Sequence, residues 1–353
     1  MNKKRFALIG CGKISVRHSN LLGNNEISGA ELVAVCDLDE SRARNLATKF
    51  NINSYSNMHH MMDEKKPDVV VLLTPSGLHY EQSMDLASYG ASLIVEKPIS
   101  LRLEEADKMI EAYTKQNKEL FVIKQNRFNQ PIVKLKEAVL KKRFGKITLG
   151  TIRVRWCREQ SYYDQDSWRG TWKYDGGVLT NQAIHHLDLL RWIMGDIESV
   201  FAKSSSNILD IEAEDTAIAV IKFTSDALGI IETTIATRPK DLEGSISVLG
   251  EKGSVEIGGF AANKLLTWDF NDQLPEDDEI KNSFSSNPDD SFGYGHRKFY
   301  EHVMDVLSGK SENQFDAIEG RKSLEVVHAL YESIETGREV RLNTYYSNSK
   351  LGL

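Results

Sequence analysis

The chain has 353 residues, of which 41% are hydrophobic and 27% charged, with a formal net charge of −7. That length exceeds one ordinary core and calls for two domains, and the composition excludes a disordered chain. The acidic balance speaks against nucleic acid as a partner, and no apolar run approaches the roughly 20 residues that cross a bilayer.

Residues 6–9 are too short for a signal-peptide core. The three cysteines, Cys11, Cys36 and Cys157, have neither metal-ligand spacing nor an even count. Both features fit a cytoplasmic protein. Over residues 1–124 short apolar runs alternate with amphipathic segments. Strands are expected at 5–10, 31–37, 68–74, 92–96 and 120–124, and helices at 14–22, 39–50, 80–89 and 103–116. Beyond residue 145 the texture changes. Strands at 147–156, 199–204, 216–223, 228–236, 243–249, 254–257 and 265–268 follow one another, with one long helix, 178–194, between the first two. The acidic stretch 271–290 reads as a surface loop, and helices at 296–308 and 317–336 close the chain. The expected fold class is α/β: a doubly wound parallel Rossmann sheet over 1–124, then over 125–353 an α+β domain with a large open, mainly antiparallel sheet. Helix 317–336 is free to pack back on the first domain.

Gly10-Cys11-Gly12-Lys13-Ile14-Ser15 follows the first strand and opens a helix, a dinucleotide fingerprint with Ser15 in the third glycine's place. Gly10 allows the tight turn, Gly12 lets backbone N–H groups approach a pyrophosphate, and the helix N-terminus favours negative charge. Asp37 ends the second strand. Its carboxylate would accept ribose hydroxyls and repel a 2′-phosphate, which selects NAD over NADP, with Arg42 nearby to soften that preference.

Glu96-Lys97-Pro98 stands at the C-terminal end of a strand, the edge where open α/β sheets bind ligands. A lysine there polarises or protonates an alcohol oxygen; taken alone, the pair reads as a surface salt bridge. On helix 178–194, Asn181, His185 and Asp188 share a face at spacings of four and three. A histidine is the usual general base near neutral pH, although a helix histidine by itself is more often structural. No metal is expected, because the adjacent His185 and His186 point apart and no cysteine or acidic cluster accompanies them. Residues 153–172 are dense in Arg155, Trp156, Arg158, Tyr162, Tyr163, Trp168, Arg169 and Trp172. Aromatic faces stack on sugars and bases, and arginines clamp carboxylate or phosphate. Gln125-Asn126-Arg127-Phe128 adds a guanidinium at the domain junction.

Together, Gly10-Cys11-Gly12, Asp37, Thr74-Pro75, His79, Glu96-Lys97-Pro98, Asp175-Gly176-Gly177 and the His185 helix resemble the Gfo/Idh/MocA oxidoreductase family nearly end to end. The family's helix motif carries an aspartate four residues before the histidine, where this chain has Asn181. Within the family, Gln125-Asn126-Arg127-Phe128-Asn129, Tyr162-Tyr163, Trp168-Arg169-Gly170-Thr171-Trp172 and Asn181-Gln182 resemble the WlbA-type branch, which the Asn181 departure fits. Those enzymes oxidise the 3″-hydroxyl of UDP-N-acetyl-glucosaminuronic acid on the way to bacterial surface polysaccharides.

The resemblance implies NAD contacts at Gly10, Gly12, Lys13, Ile14, Asp37, Thr74 and Pro75, and at His79, Glu96, Lys97, Gln125, Trp168 and Arg169. It implies catalysis by Lys97, His185 and Asn181, and sugar-nucleotide contacts by these three with Arg127, Arg155, Arg158, Tyr163 and Trp172. Arg127, Arg155, Arg158 and Arg169 are the candidates for the uronate carboxylate and the diphosphate, undivided between them. It also implies tightly held NAD, recycled in some members by 2-oxoglutarate, and a homotetramer in which the second domain binds substrate and oligomerises. The sugar is expected in the cleft between the domains. There His185 takes the hydroxyl proton and Lys97 polarises the oxygen, or the reverse, and hydride leaves C3″ for NAD. One alternative is a dehydrogenase or reductase of a free sugar, inositol or another nucleotide-linked ketosugar, which would have little use for several pocket arginines. Another is a non-catalytic NAD- or sugar-sensing protein, which would need neither Lys97 nor His185.

Overall fold

Buried apolar runs joined by amphipathic segments leave the first third of the chain one economical arrangement, parallel strands with helical crossovers. The computed structural model describes residues 3–286 and 295–353. In chain order come β1 (Lys4–Ile9), α1 (Ser15–Gly23), β2 (Ala30–Cys36), α2 (Glu40–Phe50), β3 (Asn53–Tyr55), α3 (Met58–Lys65), β4 (Val69–Leu72), α4 (His79–Ala87), β5 (Ser92–Val95), α5 (Leu103–Lys115) and β6 (Leu120–Val122). There follow α6 (Gln130–Leu140), β7 (Ile147–Arg155), α7 (Gln160–Tyr163), α8 (Val178–Asn181), α9 (Ile184–Met194), β8 (Ile197–Ser205), β9 (Thr216–Phe223) and β10 (Leu228–Thr234). The chain closes with β11 (Glu243–Gly250), β12 (Gly253–Gly258), β13 (Lys264–Phe270), α10 (Pro275–Phe284), α11 (Gly295–Leu307), α12 (Ala317–Thr336) and β14 (Val340–Arg341).

These elements form two units: Met1–Ile123 with His296–Lys322, and Lys124–Gly295 with Ser323–Leu353. The expected division after residue 124 therefore needs one correction, since α11 and the start of α12 belong with the first unit. The first unit holds a six-stranded sheet in the order β3-β2-β1-β4-β5-β6, parallel throughout. β4, β5 and β6 are buried along their whole length, as their Val, Leu and Ile content requires. Parallel pairing brings the residues after β1, β2, β4 and β5 to one edge, and the strand order reverses between β1 and β4. β3 and α3 escape the sequence reading because residues 53–60 are mostly polar and carry no clear period.

The second unit holds an eight-stranded sheet in the order β13-β12-β11-β7-β10-β9-β8-β14. It is antiparallel except where β10 runs parallel to β7, which makes the sheet mixed. Gly150 lets α9 lie close on β7: a Cβ there would stand 2.9 Å from Leu190 and Met194. Ile152 and Val154 share that buried face, while Arg153 and Arg155 point to the other.

Two further expectations are corrected. The segment 271–290 is not all loop, because Pro275 opens α10, whose first turn carries Glu276, Asp277 and Asp278 toward the positive end of the helix dipole; residues 287–290 lie outside the described residues. The single helix 178–194 is broken into α8 and α9. The Val178 carbonyl accepts both the Gln182 and the Ala183 N–H, at 3.2 and 2.8 Å, so one extra residue is inserted into the turn. No helix is long and apolar enough to cross a membrane, among the described residues.

Candidate active site

In the first unit the glycine loop has the geometry a dinucleotide needs. Gly10 sits at φ +95, and a Cβ would stand 2.8 Å from the Leu73 carbonyl, so only glycine fits the turn. Gly12 differs. No atom lies within 4 Å of where its Cβ would be, so the space beside the loop is open and a side chain would fill it. Ser15 is buried, and its hydroxyl donates to the Gly12 carbonyl at 2.6 Å. Asp37 holds the loop from the next strand, accepting the Cys11 N–H at 2.6 Å and the Asp39 N–H at 2.8 Å. An open glycine cradle at a helix start, beside a carboxylate, fits NAD with its pyrophosphate on the loop and its adenosine ribose at Asp37. Lys13 is exposed, while Ile14, Thr74 and Pro75 are half-buried along the same loops.

Lys97 is half-buried beyond β5. Its neighbour Glu96 is not part of a surface salt bridge. The carboxylate is buried, with Oε1 3.2 Å from His18 Nε2 and Oε2 accepting the Lys97 backbone N–H at 3.0 Å. Burial pushes its pKa up. The hydrogen bond and charge of His18, helped by Lys97 and His296, outweigh that and hold the carboxyl at about 2. His79 is fully buried between two carbonyls, Pro98 O at 2.8 Å and Thr74 O at 3.0 Å. The side chains of Glu96 and His79, expected on the cofactor, thus bond within the protein.

In the second unit His185 is half-buried on α9, and Asn181 is half-buried at the end of α8. Asn181 Nδ2 donates to Asp175 Oδ1, and Asp175 Oδ2 accepts the Gly170 N–H at 2.8 Å. The α8 N-terminus rests on Glu214, whose Oε1 accepts from Leu179 N at 2.9 Å and the Tyr331 hydroxyl at 3.0 Å. Burial raises that carboxyl to about 7.

Asp188, expected to share a face with His185, is buried and belongs to a separate cluster. It takes both prongs of the Arg127 guanidinium at 2.7 Å, the Lys124 ammonium, and the Ser323 hydroxyl at 2.6 Å. Burial pushes the Asp188 carboxyl up, but Arg127 and Lys124 bring it well below the usual range, and burial lowers Lys124 to about 8. Arg127, a candidate anion clamp from sequence, is therefore a structural cation. His186 is fully buried edge-on to Trp156, and burial lowers its pKa to about 4.

The remaining arginines separate. Arg155 leaves the anion-binding set: it grips Glu232 at 2.6 and 2.7 Å and Glu243 at 2.9 Å, on the sheet face opposite α9. Arg158 lies over Trp156 and Tyr162, 5.4 and 5.8 Å from the ring centres, and Arg169 over Tyr162 and Trp168, at 4.4 and 4.5 Å. Stacked guanidiniums keep their N–H edges in fixed planes, and each here has a carboxylate neighbour, Asp241 at 3.2 Å and Asp166 at 3.1 Å. Tyr162 and Trp168 thus spend ring faces on arginines rather than on a sugar. Tyr163 is buried with its hydroxyl on Gln182, Trp172 packs edge-on to Tyr331, and Gln125 is buried in the turn Gln125–Phe128.

His18, Lys124, Glu214 and Tyr300 were not singled out from sequence. The available signal was a polar residue on an apolar face, as with His18 between Ser15 and Leu22 on the buried side of α1. Nothing local named their partners.

Comparison with known proteins agrees with this architecture. Residues 4–124 match the oxidoreductase family's NAD-binding Rossmann fold (GFO_IDH_MocA), and residues 136–342 match its C-terminal alpha/beta domain. The structure of the WlbA dehydrogenase from Chromobacterium violaceum in complex with NADH and UDP-GlcNAcA superposes with a TM-score of 0.91 at 41% identity, covering 98% of each chain. The WlbA dehydrogenase from Bordetella pertussis, in complex with the same two ligands, has a TM-score of 0.91 at 38% identity, covering 98% of this chain and 99% of its own. A myo-inositol 2-dehydrogenase from Thermotoga maritima is 31% identical over 258 residues, 71% of this chain and 74% of its own.

Proposed function

The chain belongs to the Gfo/Idh/MocA oxidoreductase family and is an NAD-dependent sugar oxidoreductase, and from that premise we propose that its substrate is a UDP-linked N-acetyl-glucosaminuronic acid, oxidised at the 3-hydroxyl to a 3-keto sugar. The observation that carries this reading is the full-length likeness, at 38–41% identity, to two dehydrogenases in complex with NADH and UDP-GlcNAcA. Arg158 and Arg169 support it, since held guanidinium edges suit a carboxylate or a diphosphate.

The Gly10–Ser15 loop and Asp37 would hold the dinucleotide, whose nicotinamide would supply the hydride acceptor. On the protein side, His185 takes the proton of the 3-hydroxyl while Lys97 polarises its oxygen, so the alcohol loses a proton to the imidazole as C3 gives up hydride. Asp175 orients Asn181, whose amide binds the hydroxyl or steadies the imidazole. Substrate recognition falls to the second unit. A nucleotide-sugar substrate and a free NAD pool fit the cytoplasm. A second copy of the chain fits the face of the eight-stranded sheet that carries Arg155, where Ile218, Val220, Leu228 and Ile230 are each 42–57% exposed; assembly through it would support the homotetramer.

The second reading, a dehydrogenase of inositol or a free glucoside, is favoured by the myo-inositol relative and by a D-glucoside 3-dehydrogenase from Escherichia coli, 28% identical over 96% of this chain and 97% of its own. The test is to offer the purified protein UDP-N-acetyl-glucosaminuronic acid, myo-inositol and a methyl glucoside, following reduced nicotinamide with and without 2-oxoglutarate. Reduction by the nucleotide sugar, reversed by 2-oxoglutarate, is the expected result. Turnover of only the uncharged sugars would overturn the assignment.

A further inference from the structure

Beneath Lys97 runs a chain of buried polar groups drawn from three distant parts of the first unit. Tyr300 on α11 and His18 on α1 are fully buried, and Glu96 after β5 is 8% exposed. The Tyr300 hydroxyl lies 2.8 Å from His18 Nδ1, and His18 Nε2 lies 3.2 Å from Glu96 Oε1. Glu96 Oε2 accepts the Lys97 backbone N–H at 3.0 Å. A carboxylate only accepts, so the His18 Nε2 that faces it carries a proton, while Nδ1 pairs with the tyrosine hydroxyl. Both carboxylate oxygens are then engaged.

Burying such groups costs more than burying apolar side chains of the same size, and a satisfied polar network is rigid. Here the rigidity ends on one peptide unit. We propose that Tyr300 and His18 are positioning residues, which lock the Glu96 carboxylate and through it the backbone from which the Lys97 side chain departs. His79 holds the carbonyl on the far side of the same residue, at Pro98, 2.8 Å away. Among the groups facing Glu96, His296 packs edge-on to His18 with ring centres 5.4 Å apart, and burial lowers its pKa to about 3. The rival occupant of this cluster is a divalent metal, because His18, Glu96 and His296 place ligand atoms within 4.8 Å of one another. Tetrahedral zinc would draw them to about 3.4 Å apart.

The proposal rests on Lys97 acting in hydride transfer and not on which sugar is oxidised. The NAD-loaded protein is compared with its Tyr300→Phe, His18→Leu and His18→Gln variants. Four quantities are read: amide hydrogen exchange at Lys97, single-turnover hydride transfer from UDP-N-acetyl-glucosaminuronic acid, NAD affinity and zinc content. Exchange at Lys97 should speed up in Tyr300→Phe and more so in His18→Leu. Hydride transfer should slow about tenfold and about 100-fold respectively, with NAD affinity unchanged. His18→Gln, which returns an N–H donor to Glu96, should recover part of both. Faster exchange in a protein whose parent does not oxidise this sugar leaves the brace standing and rejects the sugar. A folded Tyr300→Phe variant with unaltered exchange at Lys97 overturns the proposal. One equivalent of zinc, lost in His18→Leu, would also overturn it.

Discussion

Two buried carboxylates sit beside the two proposed catalytic residues, and the protein satisfies them in different ways. Glu96, next to Lys97, is held by a histidine ring and a backbone amide. Asp188, three residues after His185, is held by two full cations and a hydroxyl. The difference follows from surroundings. The proposed NAD and Lys97 already bring positive charge near Glu96, so one ring N–H and one backbone N–H suffice. Asp188 lies in the interior of the second unit, where Lys124 and Arg127 would themselves be unstable without it. The first arrangement sets a geometry for chemistry, and the second supports the fold.

The sharpest test of that contrast is at the two residues proposed to be catalytic. Lys97→Met and His185→Ala should each lower turnover by roughly 10²–10⁴-fold with NAD affinity retained, read by steady-state kinetics and nucleotide titration. Near-normal turnover in either would remove that residue from the mechanism and the contrast with it. Next in size, Asp188→Asn leaves Lys124 and Arg127 buried without a full counter-charge, and should destabilise the protein by about 3–5 kcal/mol in denaturant unfolding. A loss below about 1 kcal/mol would show that the Asp188 cluster is no more structural than Glu96.

Glu214 extends the comparison to a buried carboxylate without a cation. Burial raises its pKa from 4.5 to about 7. The folded protein therefore keeps a proton that the unfolded chain releases over that window, so stability from this group is complete below about pH 4.5 and falls by about 3 kcal/mol as pH rises to 7. Glu214→Gln should flatten this part of the melting-temperature profile. An unchanged profile would mean that the carboxylate is charged and stabilised in the fold.

The glycine turn and its carboxylate partner were legible from residue order because their parts are local. Gly10, Gly12 and Asp37 belong to one strand-turn-helix-strand unit, and the short range between them leaves little freedom. The helix expected at 317–336 is found there as α12. Other parts were not legible. Asn181 and His185 read as one helical face, but the added residue at Gln182–Ala183 breaks the register. No proline or glycine marks that break; it accompanies the anchoring of Asn181 on Asp175 and of the α8 N-terminus on Glu214. Likewise, Arg127, Arg155 and Arg158 look alike in sequence, and only their partners separate a buried cation, a sheet-face ion pair and a stacked guanidinium.

By itself, the order of residues determined the parallel first sheet, the β-rich second unit, the glycine turn and the candidate pair Lys97 and His185. These depend on periodicity, on backbone freedom at glycine and on which side chains can carry a proton, all properties of short segments. The tertiary structure alone decided that β10 joins β7 in parallel, that α8 and α9 part, and that Glu96 answers to His18 and Tyr300. Those outcomes depend on which distant polar groups must find one another once water is excluded, and a chain read along its length does not contain that pairing.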